Sequence, residues 1–159
     1  MPIFSRLAFA VVQWRSRRGL LRGEEATADG SAAKENAKRR GVRGETYAYW
    51  YLRRHGYVFV ARNYVPSGAQ GEIDLVGYDG ETLVFVEVRT RTLHERAAAP
   101  AELSVTHEKQ RVVARTARRF LLERHVKPCP LRFDVLAIEE RPGHPPTTRL
   151  HKSAFRADV

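Results

Sequence analysis

The segment Gly71–Arg91, GEIDLVGYDGETLVFVEVRTR, constrains this chain more than any other. Two alternating runs, Gly71–Tyr78 and Leu83–Arg91, flank Asp79-Gly80, a pattern that predicts a β-hairpin. Each run carries one carboxylate among apolar neighbours, Asp74 and Glu87. A four-residue loop over Asp79–Thr82 pairs Tyr78 with Leu83 and sets Asp74 opposite Glu87, with Cβ atoms about 4.5–5.5 Å apart. A two-residue turn at Asp79-Gly80 sets Glu72 against Glu87 instead. Either register opposes two carboxylates, which destabilises a ladder unless positive charge sits between them. A divalent cation on hard oxygen ligands is the simplest such charge. Arg89, two residues after Glu87, projects from the same strand face.

The chain has 159 residues, one domain's worth, and 43% of them are hydrophobic, enough for a core. A net charge of +10 points to polyanionic partners, nucleic acid first and an anionic membrane surface second. Much of that charge is N-terminal, since residues 1–44 hold ten Lys/Arg against four Asp/Glu. Ile3–Trp14 is apolar but too short for a bilayer span of about 20 residues. The basic cluster Arg15, Arg17 and Arg18 follows it rather than preceding it, which is wrong for a secretory signal. Gly23–Gly41 lacks apolar periodicity and is expected as a linker. Residues 1–41 are therefore read as a disordered or amphipathic basic extension, and 42–159 as the folded unit. Lys38-Arg39-Arg40 with Arg43 can touch phosphate, although such runs are commonly solvated. Cys129 is the only cysteine, which excludes an intramolecular disulfide and a cysteine zinc site and fits a cytoplasmic protein.

From Val42 the order of elements is helix, three strands, helix, strands. Arg43–His55 predicts a helix closed at Gly56, with Glu45, Ala48, Tyr49 and Leu52 on one face. On spacing alone, Glu45 reads as a first-turn carboxylate complementing the helix dipole. Tyr57–Tyr64 predicts a strand, Pro66–Gln70 a loop, and Thr92–Leu103 an irregular segment. Ser104 is the expected N-cap of a helix running to about Arg124, with Val113, Ala117, Phe120 and Leu121 as its buried stripe. Arg111, Arg115 and Arg118 fall on its basic outer face, and Lys109 one turn in. Arg132–Glu139 predicts another strand bearing a third inward-facing carboxylate, Asp134, and Arg149–Phe155 a terminal strand or turn. This order defines a mixed α/β domain, a small sheet flanked by helices. No Walker loop, Rossmann fingerprint or His-x-x-x-His pair occurs.

Three stretches, GVRGETYAYWYLRRHGY, ARNYVPSGAQGEIDLVGYDGETLVFVEVRTR and RFDVLAIE, carry a resemblance to the YraN family of small bacterial proteins. The resemblance covers roughly Val42 to Phe155. It implies a restriction-endonuclease-like fold of the PD-(D/E)xK type, similar to that of Holliday-junction resolvases. In that fold a first-helix Glu, a hairpin Asp and an E-x-K strand converge on a divalent metal. By position these are Glu45, Asp74, and Glu87 with Arg89, the last standing where the motif has Lys. The resemblance thus implies Asp74 and Glu87 as metal ligands for Mg or Mn, joined by the Val88 carbonyl and by Glu45 directly or through water. Arginine supplies positive charge but cannot act as a base. Lys109 can bring an ammonium from the following helix.

The reading that follows is a metal-dependent nuclease acting on nucleic acid, DNA before RNA, without a small-molecule cofactor. Arg89, Arg91, Lys109, Arg111, Arg115 and Arg118 are its expected phosphate contacts, and a homodimer is compatible with the resolvase likeness. The alternatives are a non-catalytic DNA- or RNA-binding protein on the same fold, and a membrane-associated scaffold targeted by residues 1–22.

Overall fold

The computed structural model describes residues 30–68, 70–92, 105–141 and 143–157. Its elements are α1 (Gly30–Arg54), β1 (Val58–Tyr64), β2 (Ile73–Asp79), β3 (Thr82–Thr92), α2 (His107–Glu123), β4 (Leu131–Glu140) and β5 (Thr147–Phe155). The strands form one sheet in chain order. All neighbours are antiparallel except β3 and β4, which run parallel. A parallel pair needs a crossover, and α2 lies in it. This is the mixed α/β layout expected from the sequence.

Strand β3 is central and buried on both faces, which explains its nearly unbroken apolar run. Val84, Val86 and Val88 pack with Leu136 and Ile138 against Tyr47, Ala48 and Leu52 of α1. Leu83 and Phe85 alternate to the opposite face and pack with Phe133 against Val113, Ala117 and Phe120 of α2. Burying each such side chain contributes about 1.5–3 kcal/mol, so this two-sided core fixes which way Glu87, in phase with Phe85, must point. It points toward α2.

The hairpin pairs Tyr78 with Leu83 and Asp79 with Thr82. The register is thus the one that aligns Asp74 with Glu87, but the turn is tighter than a four-residue loop, with Gly80 at φ 64°. A left-handed Gly at the turn lets the ladder close one pair further.

Two glycines set how closely the helices approach. A Cβ on Gly44 would lie 1.9 Å from Thr90 Oγ1, so only glycine lets α1 sit this low on β3. A Cβ on Gly71, whose φ is +128°, would lie 2.2 Å from Thr116 Oγ1, so the entry to β2 tucks under α2. Thr116 Oγ1 donates back to the Val112 carbonyl at 2.9 Å and is satisfied inside the helix.

Three expectations change. Helix α1 begins at Gly30, so the expected linker is helical from Gly30 to Gly41. Residues 35–40 are exposed, so this stretch has no apolar periodicity to betray it. The N-cap of α2 is Thr106, whose hydroxyl accepts from the Lys109 N–H, and not Ser104. Leu121 is only partly covered, whereas Thr116 is buried with Val113, Ala117 and Phe120. The expectations for Ile3–Trp14, Arg15–Arg18, residues 1–22 as a membrane address and the irregular segment 93–103 fall outside the described residues. Among the described residues no helix is long and apolar enough to cross a membrane.

Candidate metal and phosphate site

One end of the sheet gathers the chemically informative residues. The end of β1, the start of β2 and the second half of β3 meet there, because β1–β2 and β2–β3 are antiparallel. Gly44 and Glu45 of α1 lie over this end, fixed by the contact of Gly44 with Thr90. The first turn of α2 reaches it from the other face through Lys109.

The β2–β3 ladder runs to Leu75 and Val86. Beyond it the Val88 N–H donates to Asp74 Oδ2 at 2.6 Å. The side chain of Asp74 is thereby held at the point where the register brings it opposite Glu87. Burial, first, and the neighbouring Glu87 push Asp74 up to about 7, with Glu45 adding to the rise; the Val88 hydrogen bond and Lys109 oppose it. Glu87 is 3% exposed. Burial raises its pKa as well, against the pull of Lys109 and Arg89, and Glu72 adds a smaller upward push.

The surroundings of Glu87 are asymmetric. Its Oε1 receives two cations, Lys109 Nζ at 3.1 Å and Arg89 Nη2 at 3.2 Å. Its Oε2 is buried and has no hydrogen-bond partner. A buried carboxylate oxygen without a partner costs about 1–3 kcal/mol or more for a charged group, so an acceptor left in this state beside a second carboxylate fits a cation ligand.

Glu45 is held from β1. Asn63 Nδ2 donates to Glu45 Oε2 at 2.6 Å, and Asn63 adopts the left-handed φ of 48°. Asparagine tolerates that conformation better than most residues, which is why this type suits the irregular end of β1. With Oε2 engaged, Oε1 is the oxygen that remains on the Gly41 side, 3.8 Å from where a Cβ on Gly41 would lie. Among the described residues no three His, Cys, Asp or Glu side chains gather closely enough to hold a metal ion. A cation here would meet two neighbouring carboxylates, Asp74 and Glu87, rather than a ready cluster of three.

The other expected residues are distributed differently. Arg91 sits beside the site, but its guanidinium is engaged with buried Glu139, at 3.0 Å through Nε and again through Nη2. Arg149 meets the same carboxylate at 2.7 Å. Arg111, Arg115 and Arg118 are exposed on α2, as expected of a basic outer face. Arg111, Arg115 and Arg156 border a hollow of about 690 Å³ along that helix. Asp134 is fully buried but faces α1, away from Glu87. There Arg132 pairs with it at 2.8 Å, and the Ser153 N–H donates to it at 3.0 Å.

Sequence reasoning missed Asn63 and Glu139. Asn63 follows Arg62 at the end of a strand pattern, and an Asn there signals a left-handed position without revealing its partner. Glu139 closed an apolar strand, and nothing local announced two arginines arriving from β3 and β5.

Fold and site together define a small five-stranded α/β protein with a recessed carboxylate pair, served by one Arg and one Lys, at the end of its sheet. The chain belongs to the uncharacterised protein family UPF0102, the YraN family, whose model matches residues 44–138. A UPF0102 protein of Koribacter versatilis is 40% identical over 116 residues, covering 72% of this chain and 78% of its own length. One of Symbiobacterium thermophilum is 42% identical over 121 residues, 76% of this chain and 99% of its own. One of Nitrosospira multiformis is 46% identical over 104 residues, 65% of this chain and 83% of its own. The match includes every residue of the carboxylate site and begins at Gly44, so nearly the first four turns of α1 lie before it.

Proposed function

We propose that this protein is a divalent-metal-dependent nuclease that hydrolyses phosphodiester bonds, in DNA before RNA. The observation that carries the reading is Glu87 Oε2, buried without a partner and aligned by register with Asp74. Mg or Mn would be held by Asp74, Glu87 and the Val88 carbonyl, with Glu45 behind. Such an ion supplies Lewis-acid polarisation of the phosphate and lowers the pKa of water.

The chain's own residues account for the rest. Arg89 sits on the strand beside Glu87 and neutralises phosphate oxygens, a role that suits a permanently charged guanidinium. It cannot take a proton from water. Lys109 approaches Glu87 to 3.1 Å from α2 and brings the ammonium that the strand motif lacks. There it stabilises the charge that develops on the phosphate in the transition state. The Val88 N–H orients Asp74, and Asn63 orients Glu45.

The test is incubation of the purified protein with linear and branched DNA plus Mn²⁺, beside Asp74→Ala and Lys109→Ala. Cleavage by the wild type, lost with Asp74→Ala and strongly reduced with Lys109→Ala, is the expected result. Equal cutting by wild type and Asp74→Ala would mark a contaminant and end the assignment.

A second reading, nucleic-acid binding without cleavage, draws on the two cations already on Glu87 Oε1, which neutralise that oxygen without any metal. It predicts binding that falls steeply with salt and no cleavage at any metal concentration.

A further inference from the structure

Helix α1 continues without a break from Glu45 back to Gly30, beyond the end of the sheet that holds the site. From Gly44 onward its buried side rests on the sheet, with Ala48 and Leu52 fully covered. Upstream, residues 35–40 are all exposed. The same helix side therefore passes from a packed face to an open one at the level of the carboxylates.

Helical geometry says what that open side presents. Lys38 precedes Glu45 by seven positions, two turns, so both project from nearly the same flank. Gly41 lies between them and carries no side chain to fill the gap. At 1.5 Å per residue Lys38 stands about 10 Å from Glu45 along the axis. A strand bound at the carboxylates would therefore have a neighbouring phosphate within reach of Lys38. Charge on the exposed stretch is one-sided, with Lys38, Arg39 and Arg40 against Glu35. Arg39 is paired with Glu35 at 3.1 Å, while Lys38 and Arg40 have no ion-pair partner among the described residues. Arg43, one turn nearer the body, is engaged with buried Glu140 at 3.2 Å and ties this part of the helix to β4.

We infer that the N-terminal turns of α1 form a flanking contact for a nucleic-acid backbone, with Lys38 gripping a phosphate a short way along the strand from the carboxylate site. The inference rests on the nucleic-acid reading above and places one side of its footprint. The protein then requires a strand that continues past the site on the α1 side. Lys38 lies upstream of residues 44–138, the segment that matches the family model.

The test is fluorescence anisotropy of the full chain on a labelled 20-base-pair DNA duplex in EDTA, which prevents cutting, over a salt series. Wild type is compared with Lys38→Glu and with Lys127→Glu, an exposed lysine beyond α2 whose reversal changes net charge equally. Losing one phosphate contact lowers the log–log salt slope by about 0.9 and weakens binding roughly eightfold at 0.1 M salt. Lys38→Glu is expected to show at least that loss, with Lys127→Glu within about twofold of wild type and both melting normally. Equal weakening by the two reversals, or no weakening by Lys38→Glu, would overturn the flanking contact while leaving the nucleic-acid reading intact. A wild type that does not bind DNA would overturn both.

Discussion

Replacing Asp74 by Asn should change how stability depends on pH, and the structure sets the size. Asp74 is raised from 3.8 to about 7 by burial and by Glu87. The folded protein therefore holds this proton more tightly than the unfolded chain does. Between about pH 4 and 7 the native state binds more protons, so metal-free stability falls as pH rises. The penalty is absent below pH 4 and complete above about pH 7. Three units correspond to about 4 kcal/mol at about 1.36 kcal/mol each, and partial access of water to Asp74 reduces this to about 2 kcal/mol. Asparagine is neutral throughout and keeps an oxygen to accept from the Val88 N–H. Urea unfolding in EDTA, followed by tryptophan fluorescence at pH 5, 6, 7 and 8, should show the variant's advantage growing by about 1.2 kcal/mol across the series, the rest being already present at pH 5. Millimolar Mn²⁺ should stabilise the wild type alone, by about 1.4 kcal/mol for each tenfold excess over Kd. A difference between variant and wild type that stays constant from pH 5 to 8 would refute a buried, opposed carboxylate pair.

Lys109→Met should enlarge the Mn²⁺-induced rise in melting temperature, because the ammonium at 3.1 Å no longer competes for Glu87 Oε1; a smaller rise would contradict that competition. Arg132→Met strips the cation from Asp134, which is 0% exposed, and should cost about 3–5 kcal/mol in urea unfolding. Because Arg132 faces the opposite side of the sheet and its turn end, DNA affinity of the folded variant should not change. Gly44→Ala places a methyl group 1.9 Å from Thr90 Oγ1 and should cost about 1–3 kcal/mol, partly recovered in the double variant with Thr90→Ala.

Much of the architecture was legible because strand periodicity is a local property. Alternation in Gly71–Arg91 and in RFDVLAIE located three of the five strands, and the apolar stripe of α2 emerged from its spacing. Helix α1 upstream of Gly41 was not legible. An exposed helix needs no apolar stripe, and its Ala, Glu, Lys and Arg residues favour helix and linker alike.

The opposition of two carboxylates in the hairpin follows from the sequence by itself, because side chains alternate with period two and either turn aligns a pair. Which pair is aligned depended on how the turn closes at Gly80. Tertiary structure alone decided that Lys109, twenty-two positions beyond Glu87, shares one oxygen with Arg89. It also decided that Asp134 turns to the other face and that Arg91 is engaged with Glu139. Such contacts join elements distant in the chain, and their partners are chosen by the packing of both helices on the two faces of β3. Local pattern carries no record of that choice.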